Sequence, residues 1–210
     1  MTRLPRLIAM TDRSVANAVD TLAHFERLAH AAAPGSVILE LRDRELPGRE
    51  RLEFGRALQQ IAFAAGQWLG VNDRLDLALL LAADSVHLGE GSVAASDARR
   101  LLGPRCFLTR ACHDPARELE PEVDAWILSP IFTERKGNPP LGLGVLGHFH
   151  ARAHPAAGTP GRPGVYALGG VSAMNAERCL AAGAAGVAVI GAVLRGEDPA
   201  LLLGALDIAR

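Results

Sequence analysis

The sequence predicts an α/β fold, a single-domain (β/α)8 barrel, on three observations. Short β-rich bursts alternate with helix-patterned stretches along 210 residues, and eight such units can be counted. Strand-then-helix units at this spacing build parallel sheets with crossovers. Eight is also the number that closes a barrel, and the chain is near the lower size for that fold. Third, the last two bursts, one helix apart, both end in glycine: Gly169-Gly170 and Gly191. An open, doubly wound sheet reads locally as the same βαβα pattern and stands as the alternative.

Strands are expected at Leu7–Met10, Val37–Leu41, Trp68–Val71, Ser85–Leu88, Cys106–Leu108, Ala125–Leu128, Val165–Leu168 and Gly186–Ile190. Helices fit between them. "VDTLAHFERLAHAA" places Leu22, Phe25, Leu28 and Ala29 on one face. "RERLEFGRALQQIAFAAG" does the same with Leu52, Phe54, Leu58 and Ile61, and Gly66 reads as its stop. "DLALLLAA", "SDARRLLG" and "SAMNAERCLAAG" are shorter, with Ser172 as N-cap of the last, and "DPALLLGALDIA" closes the chain. In the fifth unit "DPARELEPEV" leaves little room for a helix. "RAHPAAGTPGRPG", Arg152 to Gly164, reads as a Pro/Gly-rich surface loop and not a linker, so residues 1–210 form one domain.

Composition narrows the partners. The chain is 49% hydrophobic and 21% charged, enough for a sizeable core. Its 22 basic and 23 acidic residues give a net charge of −1, which argues against a nucleic-acid or membrane-surface partner. Cys106, Cys112 and Cys179 form no CxxC pair and fit a reducing compartment. "MTRLPRLIAMTDRS" is too poor in apolar residues for a signal peptide. The longest uncharged stretch, Cys179 to Leu194, falls short of the about 20 residues of a membrane span. A cytoplasmic protein is expected, and the reading leaves a homo-oligomer open.

In barrels of this kind the active site lies at the C-terminal strand ends, and phosphate binds after strands seven and eight. Glycine lets backbone approach an anion, and amides of the following turn can donate to it. Gly169, Gly170 and Gly191, with Ile190 beside them, are therefore expected to form a phosphate cup. The bland account is that small residues ease tight turns. The second strand leaves as "LELRDREL", where Glu40, Arg42 and Arg44 share a face if the strand persists. Two guanidiniums at a barrel mouth suit a diphosphate or a carboxylate. The third exit offers Asn72 and Asp73, as helix caps or as a ligand for Mg²⁺ against a substrate diphosphate. His87 reads as a packed histidine. After strand five His113 is a free acid–base group, while Cys112 points to the opposite face. Thr133 and Lys136, in the long sixth exit, can bind phosphate. His148, His150 and His154 lack a nearby carboxylate and do not read as a zinc site.

These stretches together resemble the thiamine phosphate synthase and thiazole tautomerase family. The resemblance spans Leu7 to about Leu194 and rests on "LELRDREL", "NDRLDLALLLAADSVHLGEGSV", "SPIFTERKGNPPLGL", "YALGGVSAMNAERCLAAGA" and "GVAVIGAV". It implies a TIM barrel. It implies small phosphorylated substrates: an aminopyrimidine methyl diphosphate joined to a thiazole phosphate, with Mg²⁺ helping diphosphate depart. Arg42, Arg44, Lys136 and His113 would then be catalytic. Glu40, Asn72, Thr133, Gly169, Gly170, Ile190 and Gly191 would touch substrate, and Asp73 the metal. The chain departs from the pattern. Glu40 stands where the synthase has Gln, Gly91-Ser92 where it has a second metal carboxylate, Ala111 where it has a Ser, and Gly191 where a Ser follows strand eight. The tautomerase branch moves protons with a histidine in the segment held here by Ser129-Pro130. A thiazole-phosphate isomerase and a non-catalytic binder are the alternatives.

Overall fold

The structure, a computed structural model, describes residues 4–135, 137–153 and 164–210. Lys136, His154 and most of the Pro/Gly-rich stretch lie outside the described residues. Eight parallel strands pair in chain order: β1 Leu7–Met10, β2 Val37–Leu41, β3 Trp68–Asn72, β4 Ser85–Leu88, β5 Phe107–Cys112, β6 Ala125–Leu128, β7 Gly164–Leu168 and β8 Gly186–Val189. β8 returns to β1, with Leu7 opposite Val187 and Ala9 opposite Val189. The sheet is thus a closed barrel, and the open-sheet alternative falls away.

Each strand serves two cores, which is why the strands read as unbroken apolar runs. Leu7 and Ala9 join the layer between sheet and helices, while Ile8 and Met10 join Ile38, Phe107, Ala125, Ile127, Tyr166 and Ala188 inside the barrel. Tyr166 seals the lower interior, its hydroxyl donating to the Pro5 carbonyl at 2.5 Å. Gly70 faces Glu40 there. A Cβ at Gly70 would lie 2.7 Å from Ile38 Cγ2 and 2.8 Å from Ser85 Oγ, so the glycine lets these two side chains close in beside Glu40, whose Cβ would be 3.4 Å away.

The outer helices are α1 Ala18–Ala31, α2 Gly48–Ala65, α3 Leu75–Leu80, α4 Ala95–Leu102, α5 Gly144–Ala153, α6 Ala176–Ala181, α7 Gly191–Leu194 and α8 Pro199–Ala205. On α1, Phe25, Leu28 and Ala29 are buried, and Asn17 caps the helix by accepting from Asp20 N at 3.0 Å. Gly66 stops α2 in the left-handed region at φ 70, where a side chain would be strained.

Four details differ from the sequence reading. β5 runs on to Cys112, taking in Arg110. Ser172 does not cap α6; it opens a turn, its N–H donating to Asn175 Oδ1 at 2.9 Å, and the helix begins only at Ala176. Asn175 in turn donates to the Gly170 carbonyl at 3.0 Å, which ties this turn to the glycine exit. Finally α5 and α7 were not foreseen, α5 because "GVLGHFHARA" follows a Pro/Gly-rich loop, α7 because it is one turn long. The fifth crossover has no helix, as "DPARELEPEV" suggested. Glu120 holds it, accepting from Ala95 N at 3.1 Å and pairing with Arg110 and Arg117, both at 3.1 Å.

Both tryptophans sit away from the mouth. Trp126 is fully buried outside β6, edge-on to Phe149 at 5.9 Å, and Trp68 begins β3, edge-on to Phe107 at 5.8 Å. Among the described residues no helix is long and apolar enough to cross a membrane.

Candidate active site

The strand exits enclose a cleft with two lobes. The outer lobe, about 480 Å³, lies over the ends of β7 and β8 and brings Gly169, Gly170, Ile190, Gly191 and Thr133 together. Gly169 and Gly170 have φ 100 and 73. Their bareness first serves packing. A Cβ on Gly169 would lie 2.8 Å from Pro130 Cα, and one on Gly170 2.6 Å from Thr133 Cγ2. The loop after β6 therefore docks flat on this exit, with Ile131 N donating to Leu168 O and Phe132 N to Gly169 O, both at 2.9 Å. Among the described residues the amides of Gly170 and Val171 donate to no backbone carbonyl. Gly191 opens α7, whose first amides have no partner within the helix. A Cβ there would first meet the Arg195 guanidinium, with Cζ at 3.1 Å.

The inner lobe, about 380 Å³, descends into the barrel and holds Arg42, Arg44, Asn72, Glu90, Ala111 and His113. β2 stops at Leu41, so Arg42 and Arg44 do not continue its alternation; each is placed by its own bonds. Arg42 donates to Asp12 Oδ2 at 2.9 Å, and Arg44 Nε to Asn72 Oδ1 at 2.7 Å. Buried Arg51, on α2, donates to the Asn72 carbonyl at 2.7 Å and fixes that residue from behind. Neither Asn72 nor Asp73 caps α3: the N-cap position is Arg74, with no side-chain cap bond.

Glu40 lies beneath these groups, fully enclosed, and neither lobe reaches it directly. Burial pushes its carboxyl up to about 8 against the pull of Arg42, Arg44 and Arg51, and among the described residues its Oε1 has no hydrogen-bond partner. At neutral pH it is mostly protonated. The carboxylate that seemed ill placed beside a diphosphate is thus a neutral acid, closer in chemistry to an amide than the sequence suggested. His87 is buried as expected, its Nδ1 2.8 Å from Thr109 Oγ1, and burial pushes it down to about 3. It nevertheless lines the inner lobe as a neutral imidazole.

His113 is oriented by Glu90, which accepts from its backbone N at 2.8 Å and faces its Nδ1 at 3.0 Å. Burial opposes the Glu90 charge, but these bonds hold its carboxyl below the usual range. Cys112 faces the helices, its thiol pushed up to about 11 by burial. His148 and His150 lie on α5, away from the cleft lining.

Asp73 stands exposed at the rim in the left-handed region, φ 68, and its Oδ1 accepts a hydrogen bond from the Ser92 hydroxyl. Among the described residues no group of three His, Cys, Asp or Glu side chains could hold a metal. The donor set still fits Mg²⁺, a hard ion that takes oxygen and commonly one or two carboxylates plus substrate phosphates. Asp73 and the Ser92 hydroxyl supply adjacent oxygens.

Three cleft residues escaped the sequence reading. Asp12 pairs with Arg42 and lines the outer lobe. Arg195 lies one turn after Gly191, and a helical side chain leans over the turn before it; that spacing was the available signal. Arg135 lines both lobes and is half-buried; burial and the nearby Arg42 draw its pKa down, while Asp12 raises it.

An eight-stranded parallel barrel with its cleft over the last strand exits falls in the class of TIM barrels. The chain belongs to the thiamine monophosphate synthase family, whose model matches residues 8–193. It is 34% identical over 180 residues to the thiamine-phosphate synthase of Gloeobacter violaceus, covering 83% of this chain but 50% of that protein. To the thiamine-phosphate synthase of Moorella thermoacetica it is 38% identical over 180 residues, 84% of this chain and 83% of that one. Among solved structures, thiamine phosphate pyrophosphorylase from Pyrococcus furiosus superposes with a TM-score of 0.78 at 25% identity, covering 96% of this chain and 95% of the other.

Proposed function

We propose that the chain is a thiamine-phosphate synthase, joining an aminopyrimidine methyl diphosphate to a thiazole phosphate and releasing diphosphate. The observation that carries this is one cleft with two cation-bearing lobes that meet at Leu168, Ile190 and Arg135. The reaction needs that plan. One anion must be held as a handle and the other allowed to leave, with the reacting centres between them. In this reading the thiazole phosphate rests on the Gly170 and Gly191 amides, with Thr133 and Arg195 beside them. The diphosphate lies against Arg42 and Arg44, which Asp12 and Asn72 hold in place. As diphosphate departs with the electrons of its carbon–oxygen bond, charge grows on its oxygens, and guanidiniums already aimed there stabilise it. Mg²⁺, held by Asp73 and Ser92, would add to that neutralisation. The three cysteines, buried and unpaired, suit a cytoplasmic setting.

The assay is product formation from both substrates with Mg²⁺, in the parent protein and in Asp73→Asn. Turnover is expected in the parent and a loss of about a hundredfold in the variant. Binding of thiazole phosphate without product in the parent would overturn the synthase reading. The Glu90–His113 pair favours a second reading, in which this imidazole moves a proton on a thiazole phosphate. Proton exchange into that compound without the diphosphate substrate, lost in His113→Ala, would establish it.

A further inference from the structure

We infer that Arg135 is a shared counter-ion which lets the cleft hold two anions side by side. Of the cleft's described guanidiniums, two are already engaged: Arg42 by Asp12 and Arg44 by Asn72. Among the described residues the Arg135 side chain has no hydrogen bond or ion pair. It is nevertheless half-buried, close enough to Arg42 and Arg44 for their charges to repel its own, and the one carboxylate that pulls against them, Asp12, is already bound to Arg42. A guanidinium kept partly out of water among like charges needs an anion. Arg135 lines both lobes, so an anion in either lobe can supply it.

The loop around it is built to hold that position. It is tied to the β7 exit through Ile131 and Phe132, and closed by mutual backbone bonds between Arg135 and Asn138, 3.1 and 3.0 Å. Two anions in adjacent lobes repel each other. A cation between them converts that repulsion into two attractions. Arg135 therefore governs the coupling between the two sites more than the strength of either. This rests on the two-lobe reading above, but on no chemical step.

The test uses inorganic anions, titrated by calorimetry at fixed Mg²⁺. Diphosphate affinity is measured without phosphate and with phosphate at saturation, for the parent, Arg135→Gln and Arg195→Gln. In the parent, bound phosphate should change diphosphate affinity by less than about threefold, and in Arg135→Gln it should weaken it by about tenfold or more. Arg195→Gln, which lies in the outer lobe alone, should weaken phosphate and leave the coupling as in the parent. Equal coupling in the parent and Arg135→Gln overturns the inference while leaving the synthase reading intact if the parent forms product. Failure of either anion to bind the parent overturns the two-lobe reading and this inference together.

Discussion

Gly170 meets two demands at one position. Its φ of 73 excludes most side chains without strain, and a Cβ would press on Thr133 at 2.6 Å. Gly170→Val should therefore lift the β6 loop off the β7 exit and abolish thiazole-phosphate binding; unchanged affinity in a calorimetric titration would contradict the cup. Glu40 makes a prediction of the opposite kind. Its carboxyl loses its proton near 4.5 in the unfolded chain and at about 8 in the fold. Between those values the folded state carries the extra proton. Stability should thus fall as pH rises across the window, by roughly 1.4 kcal/mol for each unit of the shift. Glu40→Gln should flatten that slope and exceed the parent in urea midpoint at about pH 9, while matching it more closely at about pH 4. At this scale the sequence was only partly legible. The glycines announced themselves by position after a strand. The protonation of Glu40 could not be read, because it depends on how completely the closed barrel buries the carboxyl.

Among the elements, the helix-free fifth crossover shows how a missing layer is made good. Arg110 is buried on β5 with its charge met by Glu120, which also accepts from the first amide of α4. Glu120→Ala should leave that guanidinium without its carboxylate and cost about 2 kcal/mol in chemical denaturation, more than a surface ion pair would. The same contact explains a misread boundary. Arg110 looked like a residue past the strand end, since a buried arginine needs a partner and none is adjacent in sequence. The other strands were legible because both faces are apolar and turn residues bracket them. The turn before α6 was misjudged for the reverse reason: Ser172 has a cap's chemistry, but the Asn175 side chain bonds back to Gly170 and delays the helix.

Over the whole molecule the charges nearly cancel, yet they are not evenly spread. In the inner lobe Arg42, Arg44 and Arg135 face a single lining carboxylate, Glu90, so positive charge gathers where diphosphate would lie in a chain of net charge −1. Diphosphate affinity should therefore fall by roughly tenfold for a tenfold rise in ionic strength, despite the neutral total. Salt-independent binding would mean the cleft does not attract anions. The barrel was legible from strand count and length, because closure needs only eight similar units. The convergence was not, since Arg135 and Arg195 reach the cleft through a folded-back loop and a single helical turn. The placement of the tryptophans has a practical side. Trp126 is shut between β6 and Phe149, and Trp68 stands at the opposite end of the barrel from the mouth. Their emission should stay constant as phosphate or diphosphate is added and shift to the red only on denaturation. The protein thus carries its own optical reporter of unfolding, one blind to ligand, so loss of binding in a variant can be told from loss of structure in a single cuvette.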